Sequence, residues 1–195
     1  KRALKNLALS YLLIAPGAQE LALAQQQFDN AGNMTDRAAA LGALIHSGSA
    51  EHAQAALASF YGDFEHEALV VDKWFAMQAA APTTDVQAVR QLMAHPDFNI
   101  RNPNRARSVI FSYCSGNPGG FHRADAAGYV FWSERVVELD SINPQVAARL
   151  ARALDRWKRL VEPYRSAARE ALARVAAKTD LSNDVREVVD RALAD

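Results

Sequence analysis

Five histidines are the side chains in this sequence best suited to bind a metal ion or to transfer a proton near neutral pH: His46, His52, His66, His95 and His122. A zinc-peptidase helix needs two histidines four residues apart with a glutamate after the first, and no two of these have that spacing. His66 stands between Glu65 and Glu67, which together offer metal-ligand types. No further ligand in a rigid frame accompanies them, so the sequence favours a solvated loop there and predicts no metal site.

A second candidate pair is His122 with Asp125, in the segment Gly-Gly-Phe-His-Arg-Ala-Asp. Loops carry functional residues more often than helix bodies do. A surface loop with a local hydrogen bond has the same pattern, and we prefer that interpretation. The preceding glycine-rich loop, 116–120, lacks the lysine of a phosphate-binding loop and follows no predicted strand, so no phosphate site is expected.

Cys114 is the only cysteine, so no internal disulfide can form, and a reducing, cytoplasmic location is the simpler interpretation. Ile110 and Phe111 precede it on a predicted helix, which indicates a buried, inert thiol rather than a nucleophile, since no partner histidine can be assigned. No serine lies in a nucleophile-elbow pattern. The sequence therefore predicts no catalytic residue.

Gln145 and Arg149 form a pair of a different kind. Asn143 and Pro144 suit the cap and first position of a helix, which places Gln145 and Arg149 four residues apart on one face. An amide beside a guanidinium suits a peptide carboxylate or carbonyl group. Ordinary surface pairing has the same spacing, and spacing alone favours it.

Four arginines continue this pattern at helical spacing: Arg149, Arg152, Arg156 and Arg159. A basic helix can bind nucleic acid or an acidic membrane, but no aromatic side chains interleave this one. Packing against another domain explains the stripe equally well.

The chain carries 22 basic and 22 acidic residues, and this balance argues against a dedicated nucleic-acid binder. No apolar run is long enough to cross a bilayer, so neither nucleic acid nor membrane is expected as a partner.

The elements that position these residues are predicted to be helices throughout. Alanine, the best helix former, is abundant, and half of the 195 residues are hydrophobic. Apolar spacing and punctuation predict helices over 2–15, 18–30, 38–46, 50–60, 67–81, 86–94, 104–115, 129–139, 144–161 and 183–194. Thr35, Ser49, Thr84 and Ser182 are the predicted N-caps of four of them. Pro163 is expected either to kink the long helix or to begin another.

Short turns between such helices indicate stacked antiparallel pairs, and we predict an all-α, irregular HEAT/armadillo-like superhelix forming a single domain over 1–195. The first helix begins at once, without a cap or a polar lead-in. Helical arrays need a polar capping repeat at a free end, so the sequence is expected to be a piece of a larger protein.

Five segments, read together, resemble the C-terminal helical domain of bacterial aminopeptidase N, the zinc-dependent alanyl aminopeptidase family of the gluzincin class. They are Asn-Met-Thr-Asp at 33–36, Val-Asp-Lys-Trp-Phe at 71–75, Asn-Pro-Asn-Arg-Ala-Arg-Ser at 102–108, Gly-Asn-Pro at 116–118 and Asn-Pro-Gln-Val-Ala-Ala-Arg-Leu at 143–150. Each alone is weak, but their order is specific and extends over nearly the whole chain.

The resemblance implies a multi-domain zinc exopeptidase of the bacterial cytoplasm that removes one N-terminal residue at a time. It places the zinc ion and every catalytic residue in a preceding catalytic domain, so this chain alone is expected to be inactive and to hold no metal. The C-terminal domain would close over the active site and leave an internal chamber for peptides.

Three residues are implied as chamber-lining substrate contacts. Gln145 and Arg149 resemble the chamber-facing glutamine and arginine of the family, and Arg107 resembles a second chamber arginine. The resemblance thus favours substrate binding over surface pairing for the Gln145 and Arg149 pair. The implied partners are a peptide substrate and the preceding catalytic domain. The alternative is an independent helical-repeat module that binds another protein.

Overall fold

A computed structural model describes residues 1–194, and every regular element within that range is helical. The helices are α1 Arg2–Leu12, α2 Ala18–Asn30, α3 Met34–His46, α4 Ala50–Phe64, α5 Ala68–Ala79, α6 Val86–Met93, α7 Pro103–Ala106, α8 Ser112–Gly116, α9 Pro118–Phe121, α10 Ala127–Asp140, α11 Pro144–Ala151, α12 Tyr164–Ala176 and α13 Asn183–Ala194. A π-helical stretch, Arg107–Phe111, joins α7 to α8, and two 3-10 turns, Arg152–Leu154 and Trp157–Arg159, follow α11. The all-α prediction is confirmed. None of the helices within these residues is both long and apolar enough to span a bilayer.

The chain divides into two compact units, and the first comprises Lys1–Thr83 with helices α1 to α5. Helix α3 packs against α1, α2 and α4, and its Leu41 and Leu44 are fully buried. At its start, Asp36 accepts hydrogen bonds from Lys5 Nζ and Asn6 Nδ2 of α1, each at 2.9 Å. These bonds lower the pKa of the Asp36 carboxyl from 3.8 to about 2, and they tie α1 to α3.

The second unit begins at Thr84, and its core forms around α10. Helix α10 packs against α11 and α12, while α11 and α12 both contact α13. Trp132 of α10 is buried, and its indole Nε1 donates to the carbonyl of Leu150 in α11 at 3.0 Å. Tyr113 meets Phe131 edge-on with ring centroids 5.6 Å apart. The buried tryptophan therefore fixes the end of α11 against α10.

Two predicted N-caps are wrong by one or two residues. Helix α3 begins at Met34, where Asn33 Oδ1 accepts the Asp36 amide at 3.0 Å, so Thr35 lies inside the helix. Helix α6 is capped by Asp85, whose Oδ1 accepts the Ala88 amide at 2.9 Å, while Thr84 is buried. In each case an Asn or Asp lies within two residues of the threonine, and both of these residue types are preferred over threonine at the N-cap.

The other two predicted caps are at the expected positions. Ser49 precedes α4, although its hydroxyl pairs with His52 Nδ1 at 2.8 Å instead of a backbone amide, and the helix continues to Phe64 rather than ending at Phe60. Ser182 precedes α13, and its Oγ accepts the Val185 amide at 3.3 Å. The prediction for Ser182 is confirmed in full.

The predicted long helix over 144–161 is wrong. Helix α11 ends at Ala151, and the chain continues through the two 3-10 turns. Trp157 is buried there, and its Nε1 donates to the Ala192 carbonyl of α13 at 2.9 Å. That tertiary contact outweighs the local helical spacing. The four-arginine stripe therefore does not lie on one helix face.

Pro163 follows a cis peptide bond with Glu162, and a new helix begins at the next residue, Tyr164. Of the two expectations for Pro163, a kink or the start of another helix, the structure shows the second.

The segment predicted as a glycine-rich loop, 116–120, instead contains a helical turn. Asn117 caps α9, its Oδ1 accepting the Gly120 amide at 2.9 Å while its Nδ2 donates to the Thr84 carbonyl at 2.8 Å. A Cβ on Gly120 would lie 2.4 Å from that same carbonyl oxygen. The glycine at 120 thus permits a close approach of two backbone segments.

Candidate functional site

Helix α11 presents Gln145 and Arg149 on its exposed side. Asn143 Oδ1 accepts the Val146 amide at 3.2 Å and Pro144 occupies the first turn, as the sequence predicts for the start of this helix. Val146 and Leu150 are buried. The apolar side of α11 therefore faces the core. Gln145 directly precedes Val146 and Arg149 directly precedes Leu150, so both polar residues lie on the outward side of the helix.

These two residues line one groove, about 590 Å³ in volume, between α11 and α13. Arg152, from the first 3-10 turn, lies on the same wall. Asp184 and Glu187 of α13 form the other wall, and Ala148 with Val188 completes the lining. The structure therefore brings the predicted Gln145 and Arg149 pair together and adds a second arginine and two carboxylates to it.

The charged groups of this groove are not paired across it. Among the ion pairs within residues 1–194, none joins Arg149 or Arg152 to a carboxylate. Glu187 Oε1 lies 3.8 Å from Arg191 Nη1, one turn along its own helix. A planar guanidinium with free donors binds a carboxylate through two parallel hydrogen bonds. The groove is therefore equipped to hold an anionic group on the α11 wall.

Both ends of α13 are anchored. At its start, Asp140 of α10 accepts the Ser182 amide at 2.8 Å and also accepts the Ser182 hydroxyl. Near its end, the Trp157 indole donates to the Ala192 carbonyl. Val185 and Val189 are fully buried between these points. The acidic wall of the groove is thus carried on a helix fixed at both ends.

Arg107, the third predicted residue, lies elsewhere. It begins the π-helical stretch Arg107–Phe111 and is absent from the described lining of the α11–α13 groove. Its Nη1 donates to Asn104 Oδ1 at 3.3 Å, while its Nε is buried without a hydrogen-bond partner in the described residues. Stretches of π-helix occur often at functional sites. The structure therefore does not join Arg107 to the Gln145 and Arg149 pair.

His122 and Asp125 do not form an acid–base pair. His122 Nδ1 is 2.8 Å from the Tyr129 hydroxyl, while Asp125 binds Arg123 and accepts the Ala127 amide at 3.1 Å. Burial lowers the pKa of His122 and raises the pKa of Tyr129 to about 12, so both are neutral at pH 7. His122 therefore bonds locally to Tyr129 and is half-buried rather than on the surface.

The remaining candidates show no site geometry. His66 is exposed, and its Nε2 lies 3.6 Å from Glu65 Oε1. Within residues 1–194, no three His, Cys, Asp or Glu side chains are close enough together to hold a metal ion. Cys114 is buried, as predicted, and burial raises the pKa of its thiol well above the usual range. The thiol is therefore protonated and inert at neutral pH.

The sequence reasoning missed the acidic wall of the groove. Asp184 and Glu187 are three residues apart on a helix that was predicted correctly, so their common face could have been identified. This face lies opposite α11 because two segments about forty residues apart in the sequence pack together. A local sequence pattern does not predict such a contact.

Comparison with known proteins agrees with this architecture. The family described as a domain of unknown function, DUF3458_C, with ARM repeats matches residues 1–194. The solved structure of Legionella pneumophila aminopeptidase A in complex with aspartic acid is similar with a TM-score of 0.90 and 31% identity, over 99% of this chain and 23% of that one. The predicted armadillo-like fold is confirmed.

Curated relatives extend the likeness in sequence. Aminopeptidase N of Escherichia coli is 39% identical over 196 residues, and aminopeptidase N of Haemophilus influenzae is 37% identical over 193 residues. Aminopeptidase N of Caulobacter vibrioides is 37% identical over 194 residues. Essentially all of this chain is matched, but it spans only 22% of the length of each relative. The chain belongs to the DUF3458_C family of ARM-repeat domains and is the counterpart of the C-terminal domain of bacterial aminopeptidase N.

Proposed function

We propose that this chain is the non-catalytic C-terminal part of a zinc-dependent aminopeptidase that removes N-terminal residues from peptides in the bacterial cytoplasm. The domain closes over the active site and lines the substrate chamber. The similarity to aminopeptidase N over the whole chain supports the enzyme class. The α11–α13 groove, which unites Gln145 and Arg149, is the observation that carries the substrate-binding role.

The groove suits the far end of a short peptide. Arg149 and Arg152 offer guanidinium donors to a carboxylate, and the Gln145 amide can donate to a peptide carbonyl or accept from a peptide N–H. Once the chamber is closed, the lower local dielectric strengthens these charged hydrogen bonds. Arg107, with a buried and unsatisfied Nε, is a second contact at a separate point of the chamber wall.

Zinc and the catalytic groups belong, in this proposal, to the preceding domain of the same chain. The residues of the C-terminal part supply only binding and enclosure. The 195-residue chain alone is then expected to hydrolyse no alanyl substrate and to bind no stoichiometric zinc, as measured by amide hydrolysis and by metal analysis after dialysis. Metal-dependent peptidase activity of this chain would refute the assignment.

Helix α1 has an exposed apolar face, and this face supports the proposal that the domain packs against the preceding part of the protein. Leu4, Leu7 and Tyr11 are 71%, 53% and 67% exposed, and Leu9 is the one buried residue of this helix. Leu23 of α2 is also exposed. Apolar patches of this kind mark interaction surfaces, and a helical array buries such a face against a neighbouring repeat.

The chamber role is tested in the full-length protein by Arg149→Ala. The substrates are tripeptides with a free carboxylate and alanine p-nitroanilide, which has no carboxylate for Arg149 to bind. The ratio of kcat/KM for the tripeptide to that for the anilide should fall about tenfold to a hundredfold, since one charge-assisted hydrogen bond contributes roughly 1.5–3 kcal/mol. Arg159→Ala is the matched control, because Arg159 is exposed and outside the described lining of the groove. An equal loss on both substrates would show that Arg149 is structural.

A further inference from the structure

The two walls of the α11–α13 groove carry opposite charges. Arg149 and Arg152 stand on one side, and Asp184 and Glu187 stand on the other. All four side chains are exposed, and in the described residues no ion pair within 4.0 Å crosses the groove. Because the walls do not neutralise each other by direct contact, both charges are available to a ligand.

The volume and rigidity of the groove suit a specific ligand group. Its volume of about 590 Å³ falls within the roughly 300–1,000 Å³ typical of small-ligand pockets. Helices α11 and α13 pack against each other, and α13 is anchored by Asp140 at one end and by Trp157 at the other. The two packed helices therefore keep the basic and the acidic wall on opposite sides of the groove, and such an arrangement of charges discriminates between ligands of different charge.

We propose that this groove selects peptides whose C-terminal residue is basic. The inference rests on the proposed chamber function. Arg149 and Arg152 donate hydrogen bonds to the terminal carboxylate, while Asp184 and Glu187 accept hydrogen bonds from the lysine ammonium or arginine guanidinium of the same residue. An acidic C-terminal side chain would meet the carboxylates of α13 and be repelled, and a neutral one would gain no ionic attraction from them.

The test measures charge preference at the C-terminal residue in the full-length protein. The substrates are Ala-Ala-Lys, Ala-Ala-Gln and Ala-Ala-Glu, compared by kcat/KM. Unsubstituted protein should prefer lysine over glutamine and glutamine over glutamate. The combined substitution Asp184→Asn with Glu187→Gln should lower the lysine-to-glutamine ratio roughly twofold to fivefold, as expected for losing a solvent-accessible ion pair. The same variant should raise the glutamate-to-glutamine ratio.

Asp190→Asn is the matched control. It removes the same kind of charge from the same helix, but Asp190 is outside the described lining of the groove. Its lysine-to-glutamine ratio should equal that of the unsubstituted protein. A fall as large as in the double variant would mean that the net charge of α13 acts at long range, and would overturn the inference.

Failure of this inference is distinguishable from failure of the chamber role. An unsubstituted protein without preference between lysine and glutamate overturns the inference, whatever the variants do. So does a lysine-to-glutamine ratio unchanged in the double variant, even where Arg149→Ala weakens all three peptides more than alanine p-nitroanilide and thereby upholds the chamber role. If Arg149→Ala affects tripeptide and anilide equally, the chamber role itself fails, and the charge selection fails with it.

Discussion

Asp140, at the C-terminal end of α10, binds Ser182, the residue that caps α13. Its Oδ2 accepts the Ser182 amide at 2.8 Å, and its Oδ1 accepts the Ser182 hydroxyl. The two residues are 42 positions apart, and Ser182 Oγ in turn accepts the Val185 amide. One carboxylate therefore fixes the start of the helix that carries Asp184 and Glu187.

Asp140→Ala should lower the free energy of unfolding by about 1–3 kcal/mol, because it leaves the Ser182 donors without their buried acceptor. Urea denaturation monitored by circular dichroism measures this change. Asp180→Ala, in the exposed turn before α13, removes a similar carboxylate and should change the stability by less than about 0.5 kcal/mol. Equal effects of the two substitutions would show that the contact with Ser182 contributes nothing.

Gly128→Ala should destabilise the junction between α9 and α10. A Cβ at this position would lie 2.1 Å from the Phe121 carbonyl oxygen and 2.9 Å from its carbonyl carbon, so the backbone must shift. The expected cost is about 1–3 kcal/mol, comparable to overpacking of a core. Gly119→Ala is the control, since a Cβ at position 119 would meet no atom within 4 Å and alanine favours helix. A thermal shift in Gly119→Ala as large as in Gly128→Ala would refute the steric explanation.

The stability of the first unit should decrease at acid pH through Asp36. Hydrogen bonds from Lys5 and Asn6 lower the pKa of its carboxyl to about 2, against 3.8 ordinarily. The folded state thus favours the ionised form, and the resulting stabilisation is fully present above pH 3.8 and is lost as the pH falls to about 2. Unfolding by urea at a series of pH values should show this decline.

Asp36→Asn should flatten the pH dependence over that interval, because the titrating group is gone. Asp29→Asn serves as the control, since Asp29 is an exposed carboxylate of the same unit that accepts one hydrogen bond, from Gln25. A decline in Asp36→Asn as steep as in the unsubstituted chain would exclude Asp36 as its source.

The apolar face of α1 should cause self-association of the isolated chain. Replacing Leu4, Leu7 and Tyr11 by glutamine removes exposed apolar surface and should reduce the association measured by sedimentation velocity, while the thermal midpoint changes little. Leu69→Gln is the control for a scattered apolar side chain, as it is 66% exposed on α5. Unchanged association in the triple variant would remove the support for docking at α1.

Much of the helical content could be predicted from local pattern. The cap of α13 at Ser182, the start of α11 at Asn143 and Pro144, and the burial of Cys114 all follow from residues within one or two helical turns. The predictions of two threonine caps failed because Asn33 and Asp85, residue types that rank above threonine as N-caps, occupy the cap positions instead.

The candidate site also combines features that local sequence predicts with features that only tertiary packing decides. The sequence alone determined that Gln145 and Arg149 share a helix face, because a spacing of four residues is one turn. Only the tertiary structure decided that the helix stops at Ala151, where burial of Trp157 against α13 outweighs the helical spacing of the arginines. It alone placed Asp184 and Glu187 opposite Arg149. Local hydrogen bonding fixes what lies within a turn, whereas pairing across some forty residues depends on which apolar faces pack together.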